Sequence, residues 1–501
     1  MGLRNTNTCG VDGMSSRMIK NTFNVIGHII LKLVNTSLAH GTVPDSWKIS
    51  LVYPIHKGGA LNNPAHFRPI SVVPLLSKIT ERIVHEQLYT YFGDHSLFSP
   101  TQHAYRRNHS TQTALLTVSD YILSAMNRRE IVLIVMLDCS KCFDTIDHET
   151  LLSVLALYGI DTKWFRSYFS SHFQRMQVHS EGKTYTSKLA RNPTGIYQGT
   201  ALGPLLFSIF SNDMHMHIDP SVTLIQYADD SQMAVSGKKE ELPQLISRLE
   251  ATLATAKEWF SSRKMKINAS KTQLVTFGTK QLLQDVPPIR ISFDGEIITE
   301  TGKVRNLGLT MDRHMTFRPH LDQITGCCTG ILLGLTAARH WLPREIMIIL
   351  VNSLVMSRLR YCLSVFGSAS IEIRDRIQKL IKFSARTVTG LSKRDHVSDE
   401  IRSLQWLRAT SLYQYSTITA FRSVVTSGEP LSLSANISVD SHNHNTRRAG
   451  QFRPVAVKTE LGKRMFAFSA PTLYNALPPE VREMSGGGFK RALRNYLFKC
   501  E

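Results

Sequence analysis

The sequence predicts an α+β fold, and three observations carry that prediction. Residues 131–137 form an unbroken apolar run of strand length that ends in a carboxylate, Asp138. Two further strand-like runs flank an acidic pair, Asp229-Asp230, in the manner of a hairpin. Beyond Arg313 the pattern turns helical and basic. The 501 residues, 42% hydrophobic and 20% charged, have ordinary globular composition, which argues against a disordered tail. At roughly 100–200 residues per domain, the length implies several subdomains with a sizeable interior.

Taken in order, residues 1–45 hold one amphipathic helix between Met18 and Leu38, where Ile19, Phe23, Ile26, Ile30, Leu33 and Val34 recur at helical spacing; Gly41 and Pro44 end it. Residues 46–310 alternate short apolar strands, such as 131–137 and 222–225, with helical patterns. Residues 311–430 are helical, with Ile373, Ile377, Leu380 and Ile381 on one face and Arg374, Arg376, Lys379 and Lys382 largely on the rest. That basic face reads equally well as a solvated surface or as a nucleic-acid contact. Residues 431–501 begin with a polar linker, Ser432 to Asn445, and close with a folded unit ending at Phe489–Phe498.

Charge and cysteines narrow the class. An excess of 59 Lys+Arg over 39 Asp+Glu leaves a net +20, which seeks a polyanion. Nucleic acid is favoured over an anionic membrane, since no Lys/Arg-rich amphipathic anchor stands out. The seven cysteines include one C-x-x-C, Cys139 to Cys142, which excludes a zinc ribbon and leads us to expect reduced thiols. With no charged-then-apolar leader and no apolar run near the roughly 20 residues of a span, we expect an intracellular protein with no membrane partner.

The residues with chemistry are carboxylates at strand ends. Paired divalent cations about 4 Å apart need hard oxygen ligands on rigid backbone, and Asp138 and Asp229-Asp230 are placed to supply them. Asp147 has a sufficient structural role as the N-cap of a helix with Glu149 in its first turn. An Asp-Asp pair alone is usually a turn. Here Tyr227-Ala228 before it and the strand ending in Asp138 upstream favour a functional pair. Between them, Gly195-Ile-Tyr197-Gln198-Gly199 through Gly203-Pro204 is a glycine-rich turn that opens a helix; by itself it could equally be a packing turn. His215 with His217 and His442 with His444 lack partners at metal-binding spacing, and Cys327-Cys328 reads as a small buried pair.

These three segments stand in the order and near the spacing of motifs A, B and C of reverse transcriptases, which the sequence resembles. Phe67-Arg68-Pro69-Ile70-Ser71, Gln102-His-Ala-Tyr-Arg106 with Ser110-Thr111, Lys266 to Thr272 (motif D) and Val304 to Gly308 (motif E) extend the match, so that it runs from Gly10 to about Ile324. Gly10-Val-Asp12-Gly13 and the tail from Phe466 to Pro479 resemble the non-LTR, LINE-type elements of jockey-like kind.

The resemblance implies a right-hand polymerase: an N-terminal extension of the fingers (1–45), fingers and palm on an antiparallel sheet (46–310), a helical thumb and connection (311–430) and a jockey-like C-terminal region (431–501). It implies RNA-directed DNA synthesis from dNTPs on an RNA template, with a DNA primer or target DNA, two Mg2+ ions (Mn2+ substituting), and nuclear or cytoplasmic ribonucleoprotein location. Asp138 and Asp229 would hold the metals with the Cys139 carbonyl, and Asp230 would be the third acidic member. Phe143 would be the steric gate against a 2′-hydroxyl. Arg68 would reach the triphosphate, with Lys57 a weaker candidate; Gln198, Gly199 and Tyr227 would shape the nucleotide pocket, and Lys271 would assist the leaving pyrophosphate. Two positions depart from the family pattern: Cys142 stands where Ala is common, and Tyr197 where Pro is common. Phe143 separates this reading from RNA-copying viral polymerases. A decayed or domesticated element acting as a nucleic-acid-binding protein is the rival from another class. No endonuclease precedes the palm, so we expect a fragment of a longer polyprotein.

Overall fold

The apolar run 131–137 is a central strand of the computed structural model, which describes residues 5–439 and 451–501. Ahead of it come helix α1 (Ser16–His40), strands β1 (Ile49–His56) and β2 (Phe67–Val72), and helices α2 (Leu75–Asp94) and α3 (Thr111–Asn127). The strand itself is β3 (Ile131–Leu137), followed by a single helical turn α4 (Cys142–Thr145), α5 (His148–Leu157), β4 (Phe173–Ser180), α6 (Gly203–Phe210), the hairpin β5 (Thr223–Tyr227) and β6 (Asp230–Gly237), α7 (Leu242–Ser262) and β7 (Gln273–Phe277). The helical half includes α8 (Arg318–Ala338), α9 (Ile371–Thr389) and α10 (Ala409–Ser427), and the chain closes with α11 (Phe466–Asn475) and α12 (Gly486–Lys499).

The central sheet runs β5-β6-β3-β7, every pairing antiparallel. Both faces of β3 are covered, which is why its sequence does not alternate. Val132 and Ile134 join the core formed by α3 and the helical half, while Ile131, Leu133, Val135 and Leu137 join a second core with α5, α6 and α7. Each such side chain contributes about 1.5–3 kcal/mol when fully buried. A second sheet, β2-β1-β4, stands beside the first, its β1–β4 pairing parallel, with Leu51 opposite Arg175. Asp147 caps α5 by accepting from the Thr150 amide at 2.9 Å, as its sequence context led us to expect.

At the N-terminus, Ile19, Ile30 and Val34 of α1 bury beside Leu75. Phe23 and Leu33, expected on the same face, are instead exposed, because only a narrow stripe of α1 is covered by α2. The Gly10-Val-Asp12-Gly13 segment holds the start of α2: the Asp12 carboxylate accepts from the Leu75 amide at 3.0 Å.

In the helical half, Ile373, Ile377, Leu380 and Ile381 of α9 are all buried. Its basic residues divide by role. Arg374 donates to the Gly367 carbonyl and Arg376 pairs with Asp322 of α8, whereas Lys379 and Lys382 are exposed. One expectation needs correcting here: α8 is long and apolar enough, by length and composition, to cross a membrane. Its apolar residues are spread along the helix with Leu321, Cys328 and Leu332 in the core, so they do not read as one unbroken run.

The cysteines give a second correction. Cys139 and Cys142 are joined as a disulfide rather than held as free thiols, because the backbone turns through a left-handed Lys141 into α4 and brings their Cα atoms to 5.7 Å. The C-terminal segment is tied to the back of the central sheet by α3. The buried Asp120 carboxylate accepts from the Phe466 and Ala467 amides at 2.6 and 2.9 Å, and Asn127 Oδ1 accepts from the Lys458 and Thr459 amides. Cys328 is buried but Cys327 is exposed, so they are not a buried pair. His442 and His444, with the end of the expected linker, lie outside the described residues.

Candidate active site

Three segments converge at one end of the central sheet. Asp138 follows directly on β3, whose last residue, Leu137, lies opposite Ser231 of β6. Asp229 and Asp230 occupy the β5–β6 tip, where Tyr227 pairs with Asp230 and the turn is made by Ala228 and Asp229. On the other edge of β3, the Asn268 amide donates to the Asp138 carbonyl and the Ser140 amide to the Lys266 carbonyl, at 2.8 and 3.0 Å. The alternation of an antiparallel ladder then turns the Cys139 carbonyl to the opposite edge, where the acidic tip lies. Lys271, in the short turn that follows, brings its Nζ to 4.0 Å from Asp138 Oδ2.

The tip turn is made by an unusual residue and held by another. Ala228 has φ 55°, a left-handed conformation costing an L-residue roughly 1–2 kcal/mol. The side chain of buried Gln102 grips that peptide from both sides, Oε1 accepting from the Ala228 amide at 2.9 Å and Nε2 donating to its carbonyl at 3.2 Å. Backbone bonds on either side, Gln226 to Thr101 and His103 to Gln226, dock the Gln102 segment along β5.

The glycine loop is held between the second sheet and the helical turn after β3. Gly199 has φ 106°, and a Cβ there would meet the Ser71 carbonyl at 2.8 Å; at Gly195, with φ 83°, it would meet the Asp144 carbonyl at 2.6 Å. Both approaches require glycine. The Ser71 amide donates to the Gln198 carbonyl at 2.7 Å, and Gln198 Nε2 donates to Asp144 Oδ1 at 2.9 Å. A cavity of about 440 Å³ opens here, lined by Pro69, Ser71, Asp144, Asn192 and Gln198 among others. Tyr197 is fixed without proline's rigid φ: its buried ring stacks on His172 at 4.7 Å and its hydroxyl donates to the Phe173 carbonyl. Phe143 is half-buried, stacked on Phe207 at 4.3 Å and set edge-on to Tyr105 at 6.3 Å.

The electrostatics tie the acids together. Burial raises the Asp229 carboxyl above its usual range, with Asp138 adding to the shift and Arg68 opposing it. Burial, then the charges of Asp229 and Asp138, push Asp230 up to about 6, although part of that residue still faces solvent. Burial and the Asp229 charge likewise push Tyr105 up to about 12. Among the described residues, no three His, Cys, Asp or Glu side chains form a ready-made metal cage. The donor set still fits a hard divalent cation of the magnesium kind, which takes one or two carboxylates and keeps several waters or substrate phosphates.

The structure thus brings Asp138, Cys139, Asp229, Asp230 and Lys271 to one end of the sheet, with Tyr227 opposite Asp230 and Arg68 near enough to act on Asp229. Gln198, Gly199 and Phe143 lie on the glycine-loop side. Lys57 is exposed at the far end of β1, its amide bonded to the His66 carbonyl. His215 and His217 are occupied locally, by Ser99 and Asn212 and by Asp213. Sequence reasoning assigned no role to Gln102 or Asp144. Gln102 opens the segment Gln102-His-Ala-Tyr-Arg106 and Asp144 follows Phe143 directly, and that was the one signal available.

A reverse transcriptase (RNA-dependent DNA polymerase) family model matches residues 55–311. The RNA-directed DNA polymerase from mobile element jockey of Drosophila melanogaster is 27% identical over 391 residues, covering 76% of this chain and 42% of that protein. The probable RNA-directed DNA polymerase from transposon BS of the same species is 29% identical over 335 residues, 64% of this chain and 35% of that one. The chain therefore spans less than half the length of these relatives. Among solved structures, apo telomerase from Candida tropicalis is a distant likeness, with a TM-score of 0.40 and 14% identity over 82% of this chain and 72% of that one. By the family match, which takes in the acidic tip, the glycine loop and the end of β3, the chain belongs to the reverse transcriptase (RNA-dependent DNA polymerase) family, beside the polymerases of non-LTR retrotransposons.

Proposed function

We propose that this chain is the RNA-directed DNA polymerase of a jockey-like non-LTR element, adding deoxynucleotides to a DNA primer 3′ end on an RNA template. The observation that carries the reading is the meeting of Asp138 with the Asp229-Asp230 turn at one sheet end, close enough for the Asp138 charge to raise the pKa of both Asp229 and Asp230. Asp138, Asp229 and the Cys139 carbonyl would hold two Mg2+ ions, with Mn2+ able to replace them; bound there, the cations lower the cost of charge on the phosphates and the attacking oxygen. In the reaction the primer 3′-hydroxyl loses its proton, its oxygen bonds the α-phosphorus, and the bond to the β-phosphate breaks to release pyrophosphate.

The chain's own residues divide the remaining work. Arg68 receives the triphosphate, Gln198 and Gly199 bound the nucleotide pocket with Tyr227, Phe143 excludes a 2′-hydroxyl, and Lys271 stands beside Asp138 to neutralise the leaving pyrophosphate. Residues 1–45 extend the fingers, 46–310 form fingers and palm, 311–430 thumb and connection, and 431–501 the C-terminal region. The nucleus, where a chromosomal 3′ end is at hand, is the place of action. The test is magnesium-dependent primer extension: Asp229→Ala abolishes extension while primer–template affinity stays within about threefold, since affinity comes mainly from backbone contacts elsewhere. Retained extension overturns the assignment.

A further inference from the structure

Two cavities away from the acidic tip share a wall and a charge. The larger, about 780 Å³, lies between the N-terminal end of α3, the helical half and α12; the second, about 610 Å³, continues along α12. Gln405, Tyr415, Lys490 and Arg494 line both, so the two form one space. Neither shares a lining residue with the cavity at Gln198.

Among the described residues, Arg360, Lys490, Arg491, Arg494 and His109 line this space and no carboxylate does. Arg360, Lys490 and Arg491 make no ion pair among the described residues, and Arg494 bonds to the neutral Gln405 carbonyl and to no carboxylate there. The Arg494 charge, after burial, holds the Arg360 guanidinium below its ordinary pKa, as expected of cations crowded together without an anion. At the inner end His109, its side chain 1% exposed, leaves Nε2 without a hydrogen bond, 3.5 Å from the nearest Glu429 oxygen. Tyr415 and Phe498 add half-buried aromatic rings to the wall.

We propose that this space binds a single-stranded segment of polynucleotide, its phosphates held by Arg360, Lys490, Arg491 and Arg494 and its bases laid against Tyr415 and Phe498. Unopposed cations beside aromatic faces are the combination that binds single strands without reading sequence. The volumes match enclosed ligand sites of roughly 300–1,000 Å³, which admit a few nucleotides but not a duplex. The inner end, at Asn108–Ser110, begins three residues beyond Tyr105, whose ring lies against Phe143, so a strand held here can run on to the acidic tip. The proposal goes beyond the polymerase reading and does not depend on it.

The test is fluorescence anisotropy of the full chain with labelled single-stranded 12-mers of RNA and of DNA over a salt series, without primer or nucleotide. Lys490→Glu/Arg494→Glu, both exposed positions, weakens binding at least about tenfold and flattens the log–log salt slope by about 1–2. Arg360→Gln does the same to a smaller extent with an unchanged melting temperature. Preferential loss for RNA identifies the strand as RNA, and equal loss for both identifies any single strand; either outcome supports the site. An unchanged slope in the double variant overturns it, as does polyglutamate competing equally at matched charge, since an acidic peptide would then serve as well. Asp229→Ala keeps this binding, so failure of catalysis and failure of the site are read separately. Photocrosslinking of iodouracil-containing RNA to peptides bearing Tyr415 or Phe498 is the second readout, and crosslinks confined to other peptides overturn the proposal.

Discussion

Phe143 shows how much a single position can carry. Its ring follows the end of β3 closely enough to stand near a nucleotide that Asp138 would hold, yet its face is already stacked on Phe207, so it also fills space. A smaller side chain leaves room for a 2′-hydroxyl that the ring would otherwise clash with and leave without a hydrogen-bond partner, a penalty of about 1–3 kcal/mol. Phe143→Val should therefore raise ribonucleotide incorporation about tenfold to a hundredfold while deoxynucleotide incorporation stays largely intact, measured as the ratio of kcat/KM values. An unchanged ratio removes the gate role. Gln102 acts at one remove, by gripping the peptide of Ala228 next to Asp229. Gln102→Ala frees a turn whose φ is already unfavourable, and a displacement of about 1 Å at reacting groups costs up to about a hundredfold in rate. We expect kcat to fall about tenfold to a hundredfold with KM for dNTP nearly unchanged; a loss confined to KM would show that Gln102 serves binding instead. The place of Phe143 beside the acidic end of β3 was legible because it lies five residues from Asp138. The grip was not, because nothing local marks Gln102 as the partner of a turn 126 residues away.

At the level of elements, periodicity was a good guide to what is buried in α9, a partial one in α1, and a poor one to which charges are free. The apolar face of α9 lies where its spacing predicts, but Arg374 and Arg376 are held by Gly367 and Asp322, leaving Lys379 and Lys382 exposed. The link between α3 and the start of α11 was not visible at all. Asp120 reads as a polar residue on an apolar helix, yet it is buried and accepts from two amides. Burial, opposed by those amides, pushes it up to about 7. A carboxyl raised in the fold contributes most stability below its unfolded pKa near 4, and that contribution is lost as pH rises through about 7. Asp120→Asn does not titrate and satisfies the two amides less well, leaving a buried donor short of a partner at about 1–3 kcal/mol. Its melting temperature should therefore be lower than that of the parent protein, with a deficit that shrinks from about pH 5 to about pH 8. A deficit that grows over that range would mean that Asp120 is charged and paired in the fold.

For the whole molecule, the net charge of +20 favours a polyanionic partner, while the acidic tip gathers negative charge at one end of the central sheet. Each phosphate neutralised releases counterions, so log affinity for primer–template should fall linearly with log salt. Lys379→Gln/Lys382→Gln removes two exposed cations of the helical half and should flatten that slope by about 1–2 if this face meets the phosphates. Arg374 is a poor probe of the same face, because removing it also takes a bond from the Gly367 carbonyl. A flat salt dependence in the parent protein would show that the charge serves another end.

By itself the sequence determined what short-range chemistry dictates. It marked β3 as covered on both faces, since seven apolar residues in succession leave no solvent side, and it put Asp138, Asp229 and Asp230 at strand ends. It also set the amphipathic face of α9 and the basic balance of the chain. Only the tertiary structure decided which polar groups answer one another: Gln198 with Asp144 across 54 residues, Gln102 with Ala228 across 126, Asp120 with Phe466 across 346, and the cations that gather where α12 meets the helical half. The physical reason is that hydrophobic periodicity is written within a few residues. A directed hydrogen bond or a shared cavity exists only once packing has brought distant backbone within about 3 Å, and many sequences with the same pattern would place other partners there.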